Sequence, residues 1–209
     1  MPPQTETERI RDLFDASANQ YDKAMAFNEK LLFGDGRAWA CSQARGKVLE
    51  IAIGTGLNLH FYPTDIELTG IEISAVMLEI ARRRAQSMGR EVELVIGDAQ
   101  ALPFHDQQFD TVICTIALCS IPNERKAVQE AYRVLHPGGH FVALEHVRSP
   151  NIIIRGLERL LESYTVRTQG DHLLREPLEA AQEAGFSIEY LKRQKLGIVE
   201  RLIARKNLQ

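Results

Sequence analysis

Short apolar runs alternate with helix-like segments along most of the chain, between Lys47 and Arg205. This alternation is typical of β-α-β units, in which each helix returns the chain to a parallel strand. It predicts five strands, at residues 47–53, 66–71, 91–97, 109–116 and 140–146. The first and fourth runs are almost continuously apolar, as expected for strands whose two faces are both covered by helices. We therefore expect an α/β fold built on a doubly wound, largely parallel sheet.

Helix-like periodicity fills most of the connections between these runs. Apolar residues recur at helical spacing over residues 74–88 and 123–135, and a further helix is predicted at 175–184. Two strand-like segments, 186–191 and 199–205, follow that helix. The C-terminal part of the chain therefore adds strands to the same predicted sheet.

Two helical segments fall outside the alternation: residues 1–45 and the amphipathic stretch 151–164. Extra helices at the carboxyl edge of such a sheet commonly cover a ligand crevice, although simple packing is the alternative. We expect one domain of 209 residues. In it, residues 1–45 form a helical lid, 46–147 a cofactor-binding core, and 148–209 a substrate helix and C-terminal strands.

Composition and charge exclude several classes of protein. Hydrophobic residues make up 44% of the chain and charged residues 25%, values usual for a soluble globular protein. No apolar run approaches the roughly 20 residues of a membrane span, and the N-terminus does not resemble a secretory signal. The net charge of -3 offers no general attraction for nucleic acid. We predict a cytoplasmic protein that binds no nucleic acid.

The cysteines and histidines show no metal-ligand spacing, so no metal is predicted. The three cysteines form no CxxC pair and are expected to be reduced and buried. Basic residues are concentrated in the last third of the chain. That bias fits an anionic substrate, a lipid headgroup or a solvated helix face.

A Gly-x-Gly bend, Gly54 and Gly56, ends the first predicted strand and precedes a predicted helix start. Bare backbone N–H groups at such a point can bind an anionic group, but the two glycines also fit a simple tight turn. Glu72 ends the second strand 18 residues after Gly54, where an acid can accept hydrogen bonds from ribose hydroxyls. Leu59 occupies the position of the third glycine of a dinucleotide motif, which weakens an NAD interpretation.

Asp98 follows the third predicted strand and can accept a hydrogen bond from an exocyclic amine such as that of adenine. Its alternative role is the capping of the next turn. Three consecutive strand ends that carry suitable groups are unlikely to coincide by chance. Together they predict a site for S-adenosyl-L-methionine, with the glycines at the methionine moiety, Glu72 at the ribose and Asp98 at the adenine.

The motifs LEIAIGTG, GIEIS, GDAQALPF, FDTVICT and RVLHPGGHF occur in this order. Over roughly Arg9 to Phe186 the sequence resembles class I S-adenosyl-L-methionine-dependent methyltransferases, particularly the group of the quinone-biosynthesis C-methyltransferases. The resemblance implies a Rossmann-like sheet of seven strands, the last antiparallel, beneath an N-terminal helical lid. It also implies that the cofactor is bound by Tyr21, Glu50, Ala52, Gly54, Thr55, Gly56, Glu72, Ile73, Met77, Asp98, Ala99, Thr115 and Ile116.

Two of these positions have particular interest. Tyr21 matches a tyrosine with which such enzymes close the pocket. Ala52 stands where the usual E-x-G-x-G-x-G motif has its first glycine. Its methyl group should be tolerated if the residue packs the turn rather than contacting the ligand.

The stretch from Cys114 to Val147 is similar to thiol S-methyltransferases, so a small lipophilic thiol is the leading acceptor. Phospholipid amines and quinone or phenol rings are the alternatives. His146 at the end of strand five is the first candidate base and Glu145 the second, with Asp171 or His172 as further contributors. A strand-end histidine bonded to backbone is the alternative role of His146.

Two other interpretations stay open. A non-catalytic nucleoside-binding module would explain Ala52 as decay of the site. A peripheral membrane protein would use residues 151–164 or the N-terminal helices for contact with lipid. The sequence does not predict the oligomeric state.

Overall fold

The computed structural model describes residues 4–208 and contains one seven-stranded sheet. The strand order is β3-β2-β1-β4-β5-β7-β6. The strands are β1 (Lys47–Ile51), β2 (Glu67–Glu72), β3 (Glu93–Ile96), β4 (Phe109–Thr115), β5 (Leu135–His146), β6 (Ser187–Gln194) and β7 (Val199–Arg205). The order reverses between β1 and β4, and ligands bind at this point in doubly wound sheets.

Strands β1 to β5 are parallel, whereas β7 runs antiparallel to both of its neighbours. This topology confirms the predicted sheet with its antiparallel last strand. The helices are α1 (Glu6–Asn28), α2 (Gly36–Ser42), α3 (Ala75–Ser87), α4 (Glu124–Val134), α5 (Ile152–Gln169) and α6 (Pro177–Glu183). A π-helical turn, Glu29–Phe33, separates α1 from α2.

The sheet carries a hydrophobic core on each face. One cluster includes residues of α4 and α6, and the other includes residues of α2 and α3. Strand β4 serves both, because Val112 and Cys114 belong to the first cluster and Ile113 to the second. This alternation follows from the two-residue period of a strand. It fixes the strand register and therefore the positions of the strand ends.

Helix α1 is tied across the carboxyl edge of the sheet by two aspartates. Asp15 accepts a hydrogen bond of 2.5 Å from the Ser74 hydroxyl. Asp22 accepts one of 2.6 Å from the Thr55 hydroxyl and pairs with Arg84. Because the two aspartates are seven positions apart in the sequence, they lie on the same side of α1. The N-terminal helix is therefore positioned over the end of β1 and the start of α3.

No α-helix follows Gly56 directly within residues 4–208, which corrects the predicted helix start there. The segment from Gly56 to Pro63 forms consecutive turns instead. Two of its side chains point inward, because Asn58 and Tyr62 both donate to the Glu50 carboxylate. Because the connection between β1 and β2 is short, the backbone cannot both form a helix here and place these two side chains against Glu50.

All three cysteines, Cys41, Cys114 and Cys119, are free and buried. Burial raises the pKa of each thiol above its usual value. None of the helices within residues 4–208 combines the length and the apolar character of a membrane-spanning segment. Within the same residues, no cluster of three potential metal ligands is present.

Candidate active site

A cavity of about 770 Å³, which includes solvent at its mouth, lies at the carboxyl edge of the sheet. Its lining comes from α1, α2, α3, the ends of β1 to β4 and the loops that follow them. The lining residues are Ile10, Phe14, Tyr21, Arg37, Ala52, Ile53, Gly54, Thr55, Leu57, Ile71, Glu72, Ile73, Met77, Gly97, Asp98, Ala99, Thr115, Ile116, Ala117, Ser120, Ile121 and Pro122.

The two glycines of the bend have different roles. Gly54 has a φ of 58°, and a Cβ built on it would have no neighbour closer than 3.9 Å, so its backbone is open toward the cavity. A Cβ on Gly56 would lie 2.8 Å from Leu59 Cδ1 and 3.3 Å from the Ala81 backbone of α3. Gly56 therefore allows close packing of the turn against α3, and it is not part of the cavity lining.

Ala52 adopts a left-handed conformation with a φ of 53°. Its methyl group packs against the hydrophobic core, which is the condition under which the turn was expected to tolerate alanine. The residue also lines the cavity. A left-handed backbone costs a residue with a Cβ roughly 1–2 kcal/mol. The turn thus keeps its shape although the usual glycine is replaced.

The Glu72 carboxylate lies beside the Gly54 backbone and binds the Gly54 N–H, which the sequence predicted to be free for an anionic group. One of its oxygens accepts a 2.9 Å bond from the Gly54 N–H, and the other accepts a 2.9 Å bond from the Ser74 N–H. Burial raises the pKa of Glu72, and the two backbone donors oppose this effect. The carboxylate is held in one orientation, and each oxygen retains acceptor capacity toward the cavity.

Asp98 lines the cavity and also organises its own turn, so both of its predicted roles are compatible with its position. Its Oδ1 accepts a hydrogen bond of 2.8 Å from the Gln100 backbone N–H, and both carboxylate oxygens lie 3.0 Å from Gln100 Nε2. Gln100 Nε2 is 3.3 Å from the hydroxyl of Thr7 in α1. The adenine end of the predicted site is therefore linked to the N-terminal helix.

Glu50 lies behind the cavity rather than in its lining. Its carboxylate accepts a hydrogen bond of 2.7 Å from Asn58 Nδ2 and one of 2.9 Å from the Tyr62 hydroxyl. Burial raises its pKa to about 7. Asn58 also donates to Thr115 Oγ1 at 2.9 Å. Glu50 thus acts on the cavity through Asn58, which sets the position of Thr115.

Arg37 is a lining residue that the sequence did not predict. Its guanidinium is buried and donates to Glu29 Oε1 at 2.8 and 2.5 Å, and to Asn58 and Thr115 at 3.0 Å each. Arg37 lies in the predicted N-terminal lid, where no sequence motif indicates a binding residue. Its position brings a guanidinium, paired with Glu29, to the end of β4, where it can also donate to an anionic group.

Tyr21 closes the same end of the cavity from α1. Burial raises the pKa of its hydroxyl well above the usual value, and Arg37 opposes this effect. Its ring makes an edge-to-face contact with Phe14, with 6.4 Å between ring centroids. Further apolar lining of the cavity comes from Phe14, Ile121 and Pro122.

Asp171 reaches the cavity rim through Ser120, whose hydroxyl donates to Asp171 Oδ1 at 2.6 Å. Burial raises the pKa of Asp171, and the Ser120 bond opposes this effect. His172 lies elsewhere, with its Nδ1 3.3 Å from a Glu162 oxygen in a groove beside α1. Of these two alternative contributors, Asp171 is therefore the one that the structure brings to the cavity rim.

The two leading candidate bases do not line the cavity. Glu145 is fully buried and accepts from the Ala117 N–H at 3.1 Å and the Leu118 N–H at 3.2 Å, so its carboxylate shapes the loop after β4. Burial raises its pKa to about 7. His146 points to the other face of β5, because side chains alternate along a strand. These positions argue against both residues as direct bases.

The environment of His146 also differs from its alternative role. Its Nδ1 is buried and has no hydrogen-bond partner among residues 4–208, so no bond from this atom to backbone is present there. Burial lowers the pKa of the imidazole. The ring is therefore largely withdrawn from solvent at the end of β5.

Comparison with known proteins agrees with this geometry. Residues 49–143 match the model of the methyltransferase domain. Human thiol S-methyltransferase TMT1A is 30% identical over 174 residues, which cover 80% of this chain and 70% of that protein. The chain belongs to the S-adenosyl-L-methionine-dependent methyltransferases. Membership confirms the predicted family and cofactor.

Another methyltransferase relative, demethylmenaquinone methyltransferase of Thermus thermophilus, is 36% identical over 66% of this chain. The match covers 66% of the relative, so the chain spans just under two thirds of its length. A solved methyltransferase from Thermotoga maritima shares the fold, with a TM-score of 0.71 at 20% identity over 94% of this chain and 99% of that one.

The methyltransferase cavity has the donors and acceptors that the cofactor requires. Gly54 leaves space that a side chain would narrow, Glu72 offers carboxylate oxygens, and Arg37 offers a buried cation. Apolar surface for an adenosyl group comes from the lining residues Ile73, Met77, Ala99 and Ile116. These residues fit S-adenosyl-L-methionine.

Proposed function

We propose that the protein transfers a methyl group from S-adenosyl-L-methionine to a small lipophilic thiol. The observation that carries this proposal is that, among residues 4–208, the cavity lining has no histidine and has carboxylates only at the proposed nucleoside end. These carboxylates are Glu72 and Asp98. A thiol with a pKa of about 8.5 is already partly thiolate near neutral pH, so it needs the least help.

The bound cofactor would supply an electrophilic methyl group on a sulfonium. In the proposed arrangement, Glu72 binds the ribose, Asp98 holds the adenine, and the Gly54 backbone faces the methionine moiety. Arg37 binds the methionine carboxylate, because it is the buried cation at this end of the cavity. Tyr21 and α1 close the site, which excludes water from the aligned reactants.

The surroundings of the cavity agree with a lipophilic thiol as the acceptor. Arg37 is paired with Glu29 and in the proposed arrangement faces the methionine carboxylate, so its charge does not select among acceptors. The apolar walls suit a lipophilic acceptor. The similarity to a thiol S-methyltransferase agrees with this choice.

A second candidate is a phenol or quinone ring, and the Ser120–Asp171 hydrogen bond favours it. Burial raises the pKa of Asp171, which makes this carboxylate a better proton acceptor than an exposed one, and Ser120 connects it with the cavity. An oxygen or carbon nucleophile requires such a base. The relative from Thermus thermophilus, a demethylmenaquinone methyltransferase, supports this alternative.

The test is a panel of lipophilic thiols, phenols, quinols and phosphatidylethanolamine, with S-adenosylhomocysteine as the measured product. We expect turnover with thiols and a gain of one CH₂ in the mass of the acceptor. Turnover only with quinols or phenols, abolished in Asp171→Asn, would select the second candidate. Cofactor binding without turnover on any acceptor would instead indicate the non-catalytic module.

A further inference from the structure

Helix α5 (Ile152–Gln169) exposes a row of large apolar side chains. Each of these side chains is at least half exposed, and the values are Ile152 74%, Ile153 73%, Leu157 57%, Leu160 77%, Leu161 50% and Tyr164 64%. Positions 153, 157, 160, 161 and 164 recur at helical spacing and therefore form one stripe. A contiguous exposed apolar surface of this kind marks an interaction site.

The opposite side of α5 is fixed to the protein, so the exposed stripe is a stable feature of the fold. Glu158 is buried and accepts from the Ser149 N–H at 3.0 Å. Glu162 accepts from the Leu173 N–H at 2.7 Å. Both acidic side chains of the helix are thereby directed away from the apolar stripe.

The remaining charged side chains of α5 are three arginines, Arg155, Arg159 and Arg167. None of them forms an ion pair with any residue from 4 to 208. Arg167 follows Tyr164 by three residues and so extends the stripe, while Arg155 and Arg159 are four residues apart along one flank. One border of the stripe therefore carries only basic side chains, and the acidic residues of the other border, Glu158 and Glu162, are bonded to backbone N–H groups.

We propose that α5 lies on the surface of an anionic lipid membrane, with the apolar stripe inserted among the lipid chains. Charge complementarity selects this partner, because arginines at the border pair with acidic headgroups while the stripe enters the apolar layer. A second copy of the chain fits less well. A symmetric contact through α5 would bring two sets of unpaired arginines together.

This orientation has a consequence for the active site. The residue after the C-cap of α5, Asp171, accepts a hydrogen bond from Ser120 of the cavity, and the His172 N–H donates to the Cys119 carbonyl at 2.9 Å. Both contacts join the end of α5 to the loop that lines the cavity. A protein that lies on lipid through α5 therefore holds its cavity near the membrane surface, from which a lipophilic molecule can enter.

The test is co-sedimentation of the full chain with two kinds of vesicle, one of equal parts phosphatidylglycerol and phosphatidylcholine and one of phosphatidylcholine alone. We expect binding to the anionic vesicles that weakens as salt rises. The triple variant Leu157→Ser, Leu160→Ser, Leu161→Ser should bind about 100-fold more weakly. Replacement of the three arginines by Gln should weaken binding by about 10- to 100-fold. Vesicle binding requires neither a methyl acceptor nor turnover, so it is tested independently of the proposed function.

The matched control is Leu208→Ser, which removes an exposed leucine at the opposite edge of the sheet and should bind vesicles as the unmodified protein does. Thermal unfolding and circular dichroism of each variant establish that it folds. The proposal is overturned if the unmodified protein does not sediment with anionic vesicles. It is also overturned if the triple leucine variant binds these vesicles as well as the unmodified protein does. A lipid-free dimer that the triple variant dissociates would assign the stripe to a second copy and also overturn it.

Discussion

Ala52 carries a methyl group at a backbone conformation that suits glycine, with a φ of 53°. Replacement by glycine removes the steric cost of that conformation but increases the flexibility of the unfolded chain. We expect Ala52→Gly to raise the free energy of unfolding by about 0.5–1 kcal/mol. Urea denaturation checks this value.

Ala24→Gly is the matched control for this substitution. Ala24 is exposed in the middle of α1, where glycine should lower stability by about 1 kcal/mol. Opposite signs at the two positions are expected. A loss of stability at both would show that the strain at Ala52 is too small to matter.

Glu72 combines two roles, since it holds the Gly54 backbone and faces the cavity. We expect Glu72→Ala to raise the dissociation constant for S-adenosyl-L-methionine by about 10- to 100-fold, as for the loss of one or two hydrogen bonds to a charged group. Isothermal titration measures it. Glu67→Ala, at the exposed start of the same strand, should leave affinity unchanged. Equal affinities in all three proteins would refute the ribose assignment.

At the scale of single elements, α1 is the part whose attachment to the cavity can be tested directly. The Asp22 contacts to Thr55 and Arg84 hold it over the Gly-x-Gly turn. We expect Asp22→Ala to speed dissociation of the cofactor by about 3- to 10-fold, because these contacts are only partly buried. Stopped-flow measurement gives the rate.

Asp12→Ala provides the comparison, because Asp12 is exposed on the same helix and its side chain accepts hydrogen bonds from the exposed groups of Gln4 and Arg11. Its dissociation rate should match that of the unmodified protein. If the two variants behave alike, α1 does not retain the cofactor.

The elements that the sequence predicted well are those with a strong local period. Continuous apolar runs located β1 and β4, and helical spacing located α4. The prediction of a helix after Gly56 was wrong because the conformation of this segment depends on hydrogen bonds to a residue outside it. Asn58 and Tyr62 turn inward to a carboxylate on β1, and this preference cannot be read from the segment alone.

The candidate site was predictable where a strand end fixes the side chain and unpredictable elsewhere. Glu72 and Asp98 face one cavity because parallel strands bring their carboxyl ends to one edge. Arg37 was missed because α2 reaches the cavity only through tertiary packing. Glu145 and His146 are adjacent in sequence, yet strand alternation and the loop after β4 keep both out of the lining.

At the scale of the whole molecule, buried carboxyl groups should make stability depend on pH. Burial raises the pKa of Glu50 and Glu145 from 4.5 to about 7. Between these values the folded protein binds more protons than the unfolded chain, so the free energy of unfolding falls as pH rises and levels off above about 7. Each group contributes on the order of 3 kcal/mol to this fall.

The variant Glu145→Gln isolates one of these groups, because its amide does not titrate. We expect the loss of stability between pH 5 and 8 to shrink by on the order of 2 kcal/mol relative to the unmodified protein. Urea unfolding at several pH values measures the change, and Glu91→Gln in an exposed loop is the control. An unchanged pH profile in Glu145→Gln would mean that Glu145 titrates in the folded protein as it does in the unfolded chain.

The burial of Cys41, Cys114 and Cys119 has a practical consequence for a protein proposed to act on thiols. Their side chains are at most 5% exposed, and their raised pKa values keep them protonated at neutral pH. The folded chain should not become methylated on its own sulfur or form mixed disulfides with its acceptor. A colorimetric thiol reagent added to a running reaction would then report consumption of the acceptor without background from the enzyme.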